Sequence, residues 1–285
     1  MPELPEVETI RQDLKKYLIS KKIKNIEIVL ERLVKNKKNE FLKSLKNKTV
    51  KDIRRVGKLI ILEMDNAKYL LVHLKMTGQL VYSSKKTNLA GGHSTGDNPE
   101  FERNKYSYII FTFDDDSKLY FNDMRTFGYM KVVNGGELVE TIESYGIEPL
   151  QKNFRIEKLK EIIKSRKINI KNLLLNQKLV AGIGNIYADE ILFRAGVRPD
   201  RIANTLSDEE IKKIFNSSNT IIKKAIKARG TTFNNYVDAR GKKGSFVKLL
   251  QVYGRGGEQC NKCKNKLTKI KLNGRGTVYC SQCQK

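Results

Sequence analysis

The chain has 285 residues, of which 39% are hydrophobic, and its 56 Lys and Arg against 31 Asp and Glu give a formal net charge of +25. This length and composition predict about two domains with real cores, and no apolar run reaches the roughly 18 residues that cross a bilayer. The charge has two interpretations, a lysine-rich proteome or a polyanionic partner such as nucleic acid, which positive charge attracts without regard to sequence.

The chain begins with Met1-Pro2-Glu3. Removal of Met1 would expose the secondary amine of Pro2. An α-amino group has a pKa of roughly 7.7–8, so about a tenth of it is neutral and nucleophilic at pH 7. Such an amine can form a Schiff base with a carbonyl carbon, and Glu3 can move protons beside it. The alternative is that Pro2 marks only a processed terminus.

The first half of the chain predicts one helix and several strands. Val7, Ile10, Leu14 and Leu18 recur at helical spacing over residues 6–19. Short β-branched and aromatic runs follow, and we predict strands at Ile23–Leu30, Ile53–Met64, Tyr69–Leu74, Tyr106–Phe113, Lys118–Phe121 and Tyr129–Val133. The polar segment Ser83–Asn104 predicts a surface loop. The pattern favours a β-sandwich or barrel with the helix packed on it.

The second half is predicted to be mostly helical from about Glu137 to Arg229. Ser207 and Glu210 have the spacing of a capping box at the start of a long helix, and Gly230 is a plausible stop signal. A Gly- and Lys-rich loop, Asp238–Gly244, follows.

The four cysteines form two pairs, Cys260-x-x-Cys263 and Cys280-x-x-Cys283, sixteen residues apart. This spacing predicts one structural zinc ion with four thiolate ligands, one pair at each end of a β-hairpin that turns at Asn273-Gly274. Redox-active or free thiols are the alternative.

Several strings together resemble the bacterial formamidopyrimidine-DNA glycosylases, which excise oxidised purines. They are MPELPEVET at the N-terminus, HLKMTG, NDMRTFG, QKLVAGIGNIYADEILFRAGVRP and the cysteine spacing. The resemblance covers nearly the whole chain. It implies an α+β fold: an N-terminal β-sandwich with packed helices over residues 1–134, a helical helix–two-turn–helix domain with a lesion loop over 135–250, and a zinc finger over 251–285.

The resemblance also implies the function, that of a bifunctional DNA glycosylase and AP lyase. It would act as a cytoplasmic monomer on double-stranded DNA with 8-oxoguanine, formamidopyrimidines or abasic sites, and not at membranes. The DNA would bring it to the bacterial nucleoid. The implied catalytic residues are Pro2 as nucleophile, Glu3 as proton donor, Lys58, and Arg275 on the zinc hairpin.

The implied DNA contacts fall into two groups. Met76, Arg125 and Phe127 match the residues that fill the space of a flipped nucleotide, Arg125 pairing with the orphaned base and Phe127 wedging the stack. The phosphate-binding positions are matched by His73, Tyr106, Arg166, Lys171 and Asn185. The loop near Lys242–Ser245 resembles a lid over the flipped base.

The chain departs from the family's pattern at several points, two of which concern the implied DNA contacts. The common Pro-Arg-Arg-Phe is Met124-Arg125-Thr126-Phe127 here, so one positive charge is lost. Tyr106 stands where a histidine is frequent, which puts this phosphate contact in doubt. Two alternatives stay open: a sister enzyme of the endonuclease VIII kind, against which Leu4 argues, and a zinc-containing DNA-binding protein without chemistry.

Overall fold

The structure is a computed structural model that describes residues 1–85, 87–93, 101–231, 236–237 and 245–285. The chain forms two compact units, Met1–Glu143 with Ala228–Val247, and Ser144–Lys227 with Lys248–Lys285. The three domains expected from the resemblance, with boundaries at residues 134 and 250, stay a prediction. None of the helices in the described ranges has the length and apolar character of a bilayer span.

The first unit contains two antiparallel sheets, as the predicted sandwich requires. Its strands are β1 (Ile23–Ile28), β2 (Val50–Val56), β3 (Leu59–Met64), β4 (Tyr69–His73), β5 (Gly78–Ser83), β6 (Asn88–His93), β7 (Ser107–Phe113), β8 (Lys118–Asp123), β9 (Tyr129–Val133) and β10 (Tyr236–Val237). One sheet has the order β1-β7-β8-β5-β6-β10 and the other β2-β3-β4-β9. Since β4 and β5 belong to different sheets, as do β8 and β9, the short connections β4–β5 and β8–β9 both cross from sheet to sheet.

Helix α1 (Leu4–Leu18) confirms the helix predicted over residues 6–19. Val7, Ile10 and Leu14 are buried on its inner face within the core of this unit. Each such side chain contributes about 1.5–3 kcal/mol when removed from water. That burial fixes the start of α1, and with it Pro2 and Glu3. The first unit also holds α2 (Lys38–Leu45) and α3 (Gly135–Glu143).

One strand prediction and one loop prediction were wrong. The run Ile53–Met64 is not one strand, because Gly57 turns the chain at a φ of 53° and separates β2 from β3. The predicted loop Ser83–Asn104 contains β6, which pairs with β5. Its Gly92 lies so close to β5 that a Cβ there would be 2.5 Å from the Gly78 carbonyl oxygen. Gly92 thus allows β6 to lie close to β5 and does not mark a loop.

The second unit is helical and ends in a hairpin. Its elements are α4 (Ile156–Lys164), α5 (Ile170–Leu175), α6 (Asn185–Ala195), α7 (Asp208–Lys227), β11 (Thr268–Leu272) and β12 (Arg275–Tyr279). The predicted capping box is confirmed at α7, because Ser207 N donates to Glu210 Oε2 at 2.7 Å and Glu210 N to Ser207 Oγ at 3.2 Å. The predicted hairpin turn is confirmed too, since Asn273 and Gly274 have φ of 46° and 78°.

Candidate functional site

The N-terminus of the chain lies in a buried cluster of charged groups in the first unit. Pro2 and Glu3 are buried, and Glu3 caps α1. Burial lowers the pKa of the terminal amine of Met1 below its usual 8.0, while the carboxylates of Glu3 and Glu6 raise it and the charge of Lys58 lowers it. The same burial would act on the amine of Pro2 once Met1 is removed. The position therefore favours a neutral, nucleophilic amine.

Glu6 is a residue of this cluster that the sequence analysis missed. Its Oε2 accepts the Glu3 N–H at 2.9 Å, and its Oε1 accepts the Thr231 N–H at 2.7 Å. Gly230 makes this approach possible, since its φ is +84° and a Cβ there would lie 2.7 Å from Glu6 Oε1. The Glu3-x-x-Glu6 spacing of a capping box could have indicated the first bond. No local pattern indicates the second, which joins α1 to residues that follow α7.

Lys58 and His73 lie near this terminus in the same unit. Lys58 is buried on the turn between β2 and β3, and its charge acts on both the terminal amine and His73. Burial, followed by the charges of Lys75 and Lys58, lowers the pKa of His73 to about 3. His73 Nδ1 accepts the Lys75 N–H at 3.0 Å. The imidazole is therefore neutral at physiological pH, with its proton on Nε2, from which it can donate to a phosphate oxygen.

The three predicted space-filling side chains project from the β4–β5 and β8–β9 connections. Met76 is 39% exposed and Phe127 54% exposed. The guanidinium of Arg125 stacks over the Phe127 ring, 4.7 Å from its centroid. Phe127 does not pack into the sandwich, which was the alternative for this residue. Exposed apolar side chains at turns are suited to enter a base stack.

Two further residues flank these turns. Tyr106 precedes β7 and is half-buried, with the Lys105 ammonium 5.2 Å from its ring centroid. Arg32 was not singled out from the sequence, yet its Nη2 donates to Thr126 Oγ1. Arg32 thus brings a guanidinium to the turn at which the sequence lacks one of the family's two arginines.

The second unit holds the other predicted phosphate-binding residues. Asn185 is the first residue of α6, and its Nδ2 donates to the Gly276 carbonyl of the hairpin at 3.0 Å. Arg275 is exposed beside it at the start of β12, and Arg166 is exposed after α4. Because the first N–H groups of a helix are open to anions, the start of α6 together with Arg275 can receive a phosphate.

Lys171 has internal partners in this unit. Its Nζ lies 2.6 Å from Asp189 Oδ1 and donates to Thr277 Oγ1 at 2.8 Å, and its side chain is 1% exposed. Burial raises the pKa of Asp189 to about 6, against the charge of Lys171 and a hydrogen bond from the Val278 N–H. The Lys171 ammonium group thus already joins α5, α6 and β12. A phosphate bound by Lys171, as predicted, would have to compete with these internal partners.

The four cysteines converge as the spacing predicts. The sulfur atoms of Cys260, Cys263, Cys280 and Cys283 all lie within 4.8 Å of one another. The Cys263–Cys280 and Cys260–Cys283 pairs are separated by 3.4 and 4.0 Å, far longer than the 2.05 Å of a disulfide. Zn–S bonds of about 2.3 Å in a tetrahedron place sulfur atoms about 3.8 Å apart, so the set fits one zinc ion. Four thiolates leave no open position, which makes the ion structural.

The predicted lid near Lys242–Ser245 is the one predicted site region that falls largely outside the described residues, since the structure describes Ser245 but not residues 242–244. The neighbouring Arg229 is described, and its Nη2 donates to the buried carboxylate of Asp13 on α1.

Comparison with family models gives three matches along the chain. Residues 1–130 match the formamidopyrimidine-DNA glycosylase N-terminal domain, residues 145–236 the formamidopyrimidine-DNA glycosylase H2TH domain, and residues 257–285 a zinc finger found in FPG and IleRS.

Whole-length relatives agree with these matches. The chain is 40% identical over 288 residues to a formamidopyrimidine-DNA glycosylase of Listeria monocytogenes and 38% identical over 287 residues to one of Desulfitobacterium hafniense, with all of each chain covered. Its structure resembles that of Lactococcus lactis Fpg in complex with DNA containing an abasic site (TM-score 0.89, 34% identity, 99% of both chains). It resembles equally the same enzyme with N7-benzyl-Fapy-dG DNA (TM-score 0.89, 34% identity, 100% of both chains).

Proposed function

This chain belongs to the formamidopyrimidine-DNA glycosylase family, and from that membership we propose that it is a bifunctional DNA glycosylase and AP lyase of base excision repair. Its substrates are duplexes with 8-oxoguanine, formamidopyrimidines or abasic sites. The relatives with these names are bacterial, and we propose the same cytoplasmic, nucleoid-associated setting and a monomeric state for this protein.

The observation that carries the proposal is the buried N-terminus. After removal of Met1, the Pro2 nitrogen attacks C1′ of the damaged nucleotide while Glu3 protonates the ribose ring oxygen as the ring opens. The damaged base leaves with the electrons of the glycosidic bond and takes up the proton that the amine nitrogen loses, and an iminium cation remains. Burial, which lowers the pKa of an amine at this terminus, supports Pro2 as the nucleophile.

The later steps use the electron-withdrawing iminium. It acidifies the adjacent C2′–H, so that β-elimination expels the 3′ phosphate, and a δ-elimination then expels the 5′ phosphate. Lys58, buried near the terminus, assists as an acid, and Arg275 binds phosphate during the second elimination. No redox step is involved, and zinc supplies only the rigidity of the hairpin.

Binding requires that the damaged nucleotide leaves the stack, at a cost of a few kcal/mol. Phosphate contacts from His73, Tyr106, Arg166, Asn185 and Arg275 offset that cost. Met76, Arg125 and Phe127, which the structure exposes on two turns, occupy the vacated space. Lys171 supports the hairpin that carries Arg275 through its bond to Thr277.

The test is chemical trapping with a protein of verified terminus. Intact mass first establishes that Met1 is absent, and borohydride then reduces the iminium to a stable adduct on an 8-oxoguanine duplex. Pro2→Gly should lose most of the adduct while it still binds the duplex, and undiminished trapping would overturn the assignment of the nucleophile. Binding by the unsubstituted protein without any adduct would favour a non-catalytic DNA-binding protein. Preferential cleavage of thymine-glycol duplexes would favour the endonuclease VIII kind.

A further inference from the structure

The two connections that carry Met76, Arg125 and Phe127 run side by side between the sheets. In the first sheet Gly78 of β5 pairs with Asp123 of β8, and in the second sheet His73 of β4 pairs with Tyr129 of β9. Between these two pairings lie the Met76 turn (residues 74–77) and the Arg125 turn (residues 124–128). Each turn is only a few residues long. A group that bonds to both turns, at the point where the two strand pairs separate, therefore determines the position of one turn relative to the other.

Asp123 is that group, since it lies at the end of β8 and is fully buried. Its Oδ1 accepts the Thr77 hydroxyl of the Met76 turn at 2.5 Å and the Arg125 N–H at 3.2 Å. Its Oδ2 accepts the Gly128 N–H at 2.6 Å. Thr77 Oγ1 in turn accepts the Arg125 N–H at 3.0 Å. One carboxyl group therefore collects donors from both turns.

The surroundings leave this carboxylate little freedom. A Cβ at Gly128 would lie 3.0 Å from Asp123 Oδ2 and 2.7 Å from the Phe121 ring. The glycine thus lets the backbone approach the carboxylate closely. An amide in place of the carboxylate has one acceptor oxygen instead of two, so its NH₂ group would face either the Gly128 N–H or the Thr77 hydroxyl.

We propose that Asp123 is a positioning residue, which holds Met76 in register with Arg125 and Phe127 so that the three side chains enter the duplex as one unit. The inference rests on the proposed function. Asp123 itself touches no DNA, because it is buried beneath the turns. The effect of Asp123 is therefore confined to duplex substrates, in which the flipped nucleotide leaves a space in the base stack.

The test compares two substrates with Asp123→Asn. One is an 8-oxoguanine duplex, which requires the space-filling side chains. The other is a single strand with a preformed abasic site, which has no partner base and no stack to invade but requires the same chemistry at Pro2. We expect the rate of duplex cleavage to fall at least tenfold, with the loss in kcat, while β-elimination on the single strand falls less than twofold.

Asp116→Asn is the matched control, because it makes the same substitution near the other end of β8, at an exposed carboxylate paired with Lys24. It should change neither rate. Thr77→Val supplies a second, milder test, since it removes the hydroxyl that both donates to Asp123 and accepts from Arg125. It should reproduce the split between substrates, and Thr77→Ser should restore duplex cleavage.

An equal loss on both substrates would overturn the inference, since that pattern indicates general damage to the fold. So would undiminished duplex cleavage by Asp123→Asn or Thr77→Val. An unsubstituted protein that cleaves neither substrate would overturn the proposed function, and this inference with it.

Discussion

Arg55 of β2 and Glu8 of α1 form a bond that joins the turn of Lys58 to the helix of the N-terminus. Arg55 Nε donates to Glu8 Oε2 at 3.0 Å, and its Nη1 donates to the Gly57 carbonyl at 2.8 Å. The Arg55 side chain is only 5% exposed. One planar guanidinium thus ties helix α1, which begins at the N-terminus, to the turn that carries Lys58.

Arg55→Lys should therefore slow the reaction more than it weakens binding. A lysine ammonium is a point donor that does not reproduce the planar fork to both Glu8 and the Gly57 carbonyl. We expect formation of the borohydride-trapped adduct to slow about tenfold, with the Kd for lesion DNA changed less than twofold. Arg54→Lys is the control, because Arg54 is the adjacent, exposed residue and pairs with Glu63. Equal effects of the two substitutions would contradict this role.

Glu8 should make the stability of the protein depend on pH. Burial raises its pKa, but hydrogen bonds from Arg11 and the charge of Arg55 outweigh this, so its pKa lies below the usual 4.5. A carboxylate whose pKa is lower in the folded than in the unfolded protein stabilises the fold at any pH above its unfolded pKa. This stabilisation is lost as the pH falls through the folded pKa. Glu8→Gln should cost about 1.5–3 kcal/mol at pH 7, and the difference in Tm should narrow below pH 4.5. A constant difference would contradict this account.

His73 should bind DNA as a neutral donor. With a pKa of about 3, it carries no charge between pH 5 and 8, so it releases no counterion on binding. His73→Leu should weaken binding by the same factor across pH 5.5–8 and leave the slope of log Kd against log salt unchanged. Arg275→Gln should reduce that slope by about 0.9. A wild-type advantage that grows toward pH 5.5 would indicate a protonated imidazole.

Replacing only one partner of the buried pair Lys171 and Asp189 should strongly lower the free energy of unfolding. Asp189→Asn leaves the ammonium of Lys171 buried without its counter-charge, and we expect a loss of about 3–5 kcal/mol in the free energy of unfolding. The double substitution Lys171→Met with Asp189→Leu removes both charges and should recover most of that loss. Urea unfolding measures both values. A double variant that is no more stable than Asp189→Asn would contradict the pairing.

Removal of zinc should disorganise the hairpin. A site of four thiolates gives a small hairpin much of its folding free energy, and Arg275 depends on that hairpin for its position. We expect one zinc per chain by elemental analysis, and loss of zinc together with at least tenfold weaker DNA binding in Cys263→Ser. Ser281→Ala, next to a ligand but without a thiol, should retain both. Full affinity in the zinc-free protein would contradict a structural role.

Local patterns predicted the parts of this fold that local physics determines. Helix α1 follows from apolar residues at helical spacing, the start of α7 from Ser207 and Glu210, and the zinc hairpin from cysteine spacing and Asn273-Gly274. In each case the decisive residues are neighbours in sequence. The catalytic assignments came from resemblance and remain proposals.

What the sequence did not reveal depends on residues that meet only in the folded chain. Gly57 lies inside the run Ile53–Met64, and periodicity did not separate the partly exposed strand β2 from the buried strand β3 that follows it. Asp123 looked like any strand-end carboxylate until the fold brought Thr77 to it. The resemblance implied a phosphate contact for Lys171, and its burial against Asp189 became evident only in the folded chain.

The bond between Glu6 and Thr231 spans 225 positions of the chain. A ribosome delivers Glu6 early and Thr231 long afterwards, so this bond is absent during most of synthesis. An aminopeptidase can therefore trim Met1 while the nascent polypeptide is still open. The bond that links the first turn of α1 to Thr231 therefore forms late, and any removal of Met1 early in synthesis precedes it.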